Sequence, residues 1–308
     1  MRKFLIIILL IPLSLYSTEK VKHRSPWDLG GMAALNISQF TQSNWSAGGQ
    51  NSTTAIGILN AYGNYNKRDI RWENSLDLEY GIQNYWSGEI GKSQDKFELN
   101  TKLGIKRTKK VYYTALLNFR TQFAPGYSDY NINHDSYVRH LISDFMSPAY
   151  LTMAAGIDYR PKKFISLVLS PLAGKTTVVI NQELTKGEAE VPGVNGVFGV
   201  GQGEDFRTEA GWFMRTQFNA DVMENVSLST KLDLFGSYLN NPGNIDVNWD
   251  LTAIMKINDF LSANLNANLI YDDDARTPAY KGIGTTYYRK GPRIQIKEML
   301  GVGLCLKF

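Results

Sequence analysis

The chain has 308 residues, 12% of them aromatic, and a formal net charge of +4. A balance so near neutral, mixed along the whole chain, argues against nucleic acid or a polybasic lipid contact as a partner. The single cysteine, Cys305, excludes a disulfide within the chain, and nothing beyond the first residues approaches the ~20 apolar residues of a transmembrane helix.

The N-terminus reads as a secretory signal peptide over residues 1–17. Arg2 and Lys3 precede an apolar run from Phe4 to Leu15, and Ser17–Thr18 supplies a cleavage point. Removing the two cations leaves the mature chain at +2. No Cys follows the run, so lipid attachment at a new N-terminus is not expected. Residues 18–26 read as a periplasmic linker and residues 27–308 as one all-β domain.

The predicted strands then follow in order, at 27–40, 53–66, 70–84, 97–106, 111–123, 148–160, 163–175, 206–220, 226–238, 245–257, 261–271 and 294–308. Most alternate with a period of two, as strands with one lipid face and one lumen face do. In 70–84, Trp72, Leu76, Leu78, Tyr80 and Ile82 share one face, with Trp86 just beyond. Arg71, Glu73, Asp77 and Glu79 share the other. In 111–123, Tyr113, Ala115, Leu117, Phe119 and Phe123 alternate with Thr114, Asn118, Arg120 and Gln122. The segments 53–66 and 163–175 alternate poorly. In the last strand Glu298 interrupts a face made of Ile294, Ile296, Leu300, Val302, Leu304, Leu306 and Phe308. Pro148 and Pro171 cannot donate to a ladder, so each is expected at a strand start, a bulge or the rim.

Connection lengths sort by parity. Those at 67–69, 108–110, 161–162, 221–225 and 258–260 are short, whereas those at 41–52, 85–96, 124–147, 176–205, 239–244 and 272–293 are mostly long. Short periplasmic turns and longer extracellular loops give that pattern. The expected fold is therefore an antiparallel transmembrane β-barrel of about 12 strands, an up-and-down meander in the outer membrane with both termini periplasmic. Tyr113 and Phe123, ten residues apart on one face, would stand roughly 25 Å apart along the membrane normal, the height of an apolar band edged by aromatics.

Few residues invite chemistry. The three histidines are His23, His134 and His140. His134, Asp135 and Ser136 are neighbours in sequence, which does not assemble a base, an orienting group and a nucleophile. Asp272, Asp273 and Asp274 read as solvated rim carboxylates capping a strand, with Arg276 near. The glycine-rich run from Gly193 to Gly203 lacks the strand, helix and Lys-Ser/Thr ending of a phosphate cradle and reads as a flexible surface loop. No catalytic site, cofactor or metal is expected. The functional content lies on the lumen face, whose lining candidates include Arg71, Glu73, Asp77, Glu79, Lys102, Arg120, Arg215 and Asp250. Such a set serves either a hydrophilic pore with charged rings or an interior filled by cross-strand ion pairs, since 12 strands fall between the filled barrel of eight and the channel of sixteen. A new Arg at the lumen-facing Asn118 is expected to cost less than one at Leu117 or Leu251 on the lipid face.

Several stretches resemble an uncharacterised Bacteroidota outer-membrane barrel family, domain-of-unknown-function family 3078. They are Asn44–Ser52, Arg71–Gly81, Lys92–Phe97, Phe119–Phe123, Ser143–Tyr150 and Leu169–Pro171. The resemblance implies fold and location and supplies no substrate or catalytic residue. The alternating C-terminal segment ending in Phe308 looks like the strand by which barrel assembly machinery recognises its clients. The functional expectation is a pore or transporter for a hydrophilic solute, not an enzyme. The alternative is a filled structural barrel whose long loops bind a partner; the solute or protein partner is not legible.

Overall fold

The computed structural model describes residues 25–41, 51–85, 90–133, 136–186, 198–201, 203–239, 242–258, 260–272, 276–279, 288–292 and 294–308. The expected signal peptide and most of the linker lie outside them. The first strands are β1 (Trp27–Phe40), β2 (Ser52–Lys67), β3 (Ile70–Tyr85), β4 (Ile90–Lys106) and β5 (Val111–Thr121). A hairpin of β6 (Gly126–Asn133) and β7 (Ser136–Ser143) follows, then β8 (Ala149–Lys162), β9 (Ile165–Val178) and a short helix α1 (Glu183–Lys186). The second half holds β10 (Phe206–Met223), β11 (Val226–Ser237), β12 (Asp246–Lys256) and β13 (Leu261–Tyr271). A small hairpin of β14 (Arg276–Ala279) and β15 (Tyr288–Pro292) precedes the last strand, β16 (Gln295–Lys307).

Twelve of these strands close into one barrel, in the order β1-β16-β13-β12-β11-β10-β9-β8-β5-β4-β3-β2. Every neighbouring pair is antiparallel and consecutive apart from the two inserted hairpins, which form separate sheets. Closure pairs backbone N–H and C=O groups between neighbouring strands around the ring, as a hydrocarbon surrounding favours, and only the β1–β16 ladder is short, from Met32↔Lys307 to Ile37↔Val302. The burial pattern is that of a soluble protein turned inside out. Leu35, Ile37, Leu99, Leu103, Ile105, Met153, Ile157, Leu300, Val302, Leu304 and Leu306 are exposed on the outer wall, while Glu98, Lys102, Asn118, Asp158, Lys175, Arg215 and Asp233 are buried inside. At the short-turn rim Trp27 packs against Tyr65 at 5.2 Å and Trp72 at 5.8 Å between ring centroids. The Trp72 indole N–H donates to Thr101 Oγ1 at 2.7 Å. Trp86, the expected partner girdle residue, lies outside the described residues.

Four differences from the sequence reading have physical causes. First, β4 begins at Ile90 rather than at 97, because a bulge at Ser93 shifts its register on β3 between Gly81 and Ile82 and hides the period of two. Second, the regions 124–147 and 272–293, read as plain loops, each contain a hairpin. Third, β9 carries an extra residue around Pro171 relative to both β8 and β10. Below the bulge its even residues Ser166, Val168 and Ser170 are buried; above it the odd residues Ala173, Lys175 and Thr177 are. That parity flip is why 163–175 alternated poorly. The Ser170 hydroxyl lies 2.6 Å from the Ala155 carbonyl and 2.7 Å from that of Leu172, and Tyr238 donates to the Pro171 carbonyl, so the bulge's acceptors are met. Fourth, β2 turns Ile56 and Ile58 inward onto Ala34, so it is apolar on both faces. Pro148 precedes the start of β8, so both prolines occupy positions that need no donor.

Leu117 and Leu251 face outward, so replacing either by Arg near mid-membrane is expected to cost roughly 2–4 kcal/mol, read by urea unfolding from lipid vesicles. Asn118 is 8% exposed and fixed between Glu98 and Asn100. Asn118→Arg is thus expected to match those losses rather than to be mild; a near-neutral result would mean that the interior has room there.

Candidate lumen site

Inward-facing side chains form three layers of charge. Nearest the short turns, Arg160 donates to both oxygens of Glu73 and its Nε to Asp158 at 2.7 Å. Arg71 Nε reaches Glu73 at 2.7 Å. Lys102 Nζ lies 3.1 Å from each of Glu73, Ser166 and Gln217. Because Lys102 stands on β4 and Gln217 on β10, this layer already crosses the lumen.

The middle layer joins opposite walls. Lys96 Nζ lies 3.2 Å from Glu98 and 3.6 Å from Asp250. Lys231 contacts Glu98 and lies 3.1 Å from Asp250. In the ring, β4 and β12 have five strands between them along either path, so the Lys96–Asp250 contact runs from one side of the barrel to the other. Beside it Arg215 grips Asp233 with two hydrogen bonds, of 2.7 and 2.6 Å, and donates to Asn100 at 2.9 Å. On the neighbouring strands β5 and β8 to β11, Leu116, Ala154, Ala173, Phe213 and Phe235 make a buried apolar cluster.

Toward the long loops, Lys175 bridges Asp246 at 2.6 Å and Asp272 at 2.9 Å, and Arg120 donates to Asn248 at 2.7 Å. Above this layer Asn181 donates to Asp144 at 2.7 Å, and Val179, Leu184 and Val200 pack with Leu141 and Phe198. The layers leave a cavity of about 760 Å³ on the short-turn side and one of about 70 Å³ on the long-loop side.

Seven of the sequence candidates, Arg71, Glu73, Asp77, Glu79, Lys102, Arg215 and Asp250, line the larger cavity, and Arg120 lines the smaller. The sequence reading missed Lys96 by assigning it to a loop, and Lys175 because the β9 bulge inverts parity. Counting back in twos from Glu98 would have found the first; nothing local marks the second. Asp272 is not a solvated rim carboxylate. It is 7% exposed and neutralised by Lys175, since a carboxylate turned inward must meet a cation. Asp273 and Asp274 lie outside the described residues, as do His23, His134 and Asp135. Of the glycine-rich run, Val200 is buried in the cap rather than held at a flexible surface. No group of His, Cys, Asp and Glu able to hold a metal occurs among the described residues.

Cutting one partner from a buried pair leaves its charge uncompensated. Arg215→Met is therefore expected to destabilise by about 3–5 kcal/mol, and Arg215→Met with Asp233→Leu to recover most of that. Unfolding midpoints in lipid check this; a double variant no better than the single one would assign the loss to packing.

Comparison with solved structures finds barrels of low similarity. The translocator domain of the autotransporter NalP from Neisseria meningitidis aligns at 8% identity and TM-score 0.37, covering 92% of this chain and 90% of that one. An outer-membrane channel from Pseudomonas putida F1 aligns at 12% identity and TM-score 0.37, covering 92% and 96%. A deletion mutant of the TodX monoaromatic hydrocarbon channel aligns at 7% identity and TM-score 0.33, covering 91% and 90%. No curated protein matches. A family model described as a protein of unknown function (DUF3078) matches residues 37–127, from the upper end of β1 to the start of β6. The chain is a closed, twelve-stranded antiparallel β-barrel, and the match to that family model lies within its first half.

Proposed function

We propose that this barrel passes a small hydrophilic solute across the outer membrane and is held shut at mid-lumen by ion pairs. One observation supports the reading above others. The cavity of about 760 Å³ is lined by charges of both signs and ends on the Lys96–Glu98–Lys231–Asp250 cluster. Ion pairs can exchange partners, so such a barrier can open without unpacking a core. In this reading the short turns and both termini are periplasmic, the C-terminal strand addresses the assembly machinery, and no histidine has a catalytic role.

A second reading, a structural barrel whose capped loops meet a partner, is favoured by the apolar cluster around Phe213 and Phe235. Conductance in planar bilayers separates the two. The wild-type protein is expected to open rarely, and Lys231→Met with Glu98→Gln to open often in discrete steps. Neutralising Glu73, Asp77 and Glu79 should then shift the ion preference of those steps. Silence in every folded variant would favour the second reading.

A further inference from the structure

The β1–β16 seam is zipped over only part of its length. Its ladder runs from Met32↔Lys307 to Ile37↔Val302 and stops, although β1 continues to Phe40 on β2 and β16 extends back to Gln295 on β13. Below the stop the two strands approach closely: a Cβ at Gly303 would lie 2.1 Å from the Leu35 carbonyl oxygen. Above it, Ser38 to Phe40 of β1 and Met299 to Gly301 of β16 face each other with no ladder among the described residues, and Gln295, Ile296, Lys297 and Glu298 are all exposed. An unpaired stretch of barrel wall is costly in lipid unless something else occupies it.

Three further features converge on this place. The lumen wall behind the seam is apolar, with Met32, Ala34, Ile56, Ile58, Met299 and Cys305 packed together, apart from the other apolar cluster around Phe213. The membrane face beside the gap is polar, because Gln39 and Glu298 point outward among Ile37, Leu300 and Val302. Just inside, buried polar atoms lack partners on one row of paired residues: Asn36 Nδ2 on β1, and Ser93 Oγ and Gln94 Oε1 on β4. The row passes from Asn36 through Ile56 and Gly81 to Gln94. Asn36 is only 3% exposed. Lys297 Nζ reaches over to the Ser93 bulge carbonyl at 2.6 Å, placing a cation at the same level.

We propose that the long-loop half of the β1–β16 seam is a lateral portal, through which a carboxylate-headed, single-chain amphiphile passes between the lumen and the surrounding membrane. The chain would lie along the Met32–Met299 cluster. The carboxylate would accept from the Ser93 hydroxyl, which has no partner, and from Lys297, whose ammonium already stands 2.6 Å from the Ser93 carbonyl. The proposal leans on the transport reading only for the direction of traffic.

The test is photolabelling in proteoliposomes with a palmitate analogue carrying a mid-chain diazirine, with modified residues located by peptide mass spectrometry. Outward Leu99 and Leu103, away from the seam, should label in every folded sample, which controls for folding and insertion. Inward Met32, Ile56 and Met299 should label as well. In a Cys305→Ala background, a disulfide between Gln39→Cys and Leu300→Cys should abolish the inward labels, and reduction should restore them. A disulfide between Ile37→Cys and Val302→Cys, within the zipped stretch, should leave them unchanged. Lys297→Gln should weaken inward labelling by the acid and spare that by the matching alcohol. Unlabelled inward residues would overturn the proposal, as would inward labelling indifferent to the upper disulfide, which would mean entry from the water-filled end. Channel conductance plays no part in this readout, so the portal and the ion-pair gate can fail separately.

Discussion

The backbone's demand for hydrogen-bond partners in a medium without water governs this molecule. It makes a free sheet edge within the membrane costly, so the strands close on themselves. Closure then dictates the distribution of side chains. One face of every strand meets lipid and becomes apolar; the other is enclosed and can hold charge only if the charges are matched. The layered ion pairs of Glu73, Lys102 and Arg160, then Lys96, Glu98, Lys231 and Asp250, then Lys175, Asp246 and Asp272 follow from that second condition.

Those pairs contribute more to shape than to net stability. Desolvating an ion pair largely cancels its attraction, whereas leaving one partner alone is severely unfavourable. Arg215 between Asp233 and Asn100 fixes where β10, β11 and β4 stand relative to one another. Lys96 with Asp250 fixes the width of the barrel across its full diameter. A lumen closed in this way is rigid in one arrangement of partners, yet needs only side-chain motion to adopt another. An apolar cluster such as that around Phe213 has no such freedom.

The two strands that alternated poorly turn out to be informative. In β9 an extra residue at Pro171 inverts inside and outside partway along, so both halves alternate but out of phase. In β2 the alternation of apolar and polar fails because Ile56 and Ile58 join an apolar patch behind the seam. The Glu298 that interrupted an apolar face in the sequence does stand on the outer wall, beside the point where β1 and β16 part. Departures from the period of two mark the irregular parts of the wall.

The sequence by itself determined the fold class, the number of barrel strands and the face on which most charges lie. All three depend on local periodicity and on turn length, which neighbouring residues carry. It also placed Arg71, Glu73, Asp77, Glu79, Lys102, Arg120, Arg215 and Asp250 toward the lumen, by parity alone. Only the tertiary structure decided which charges meet. Lys96 and Asp250 are far apart in the chain and on opposite walls, and strand tilt and stagger, which leave no trace in composition, bring them together. The same holds for the seam. Its residues come from the two ends of the barrel, and how far their ladder extends is fixed by the closure of the whole ring.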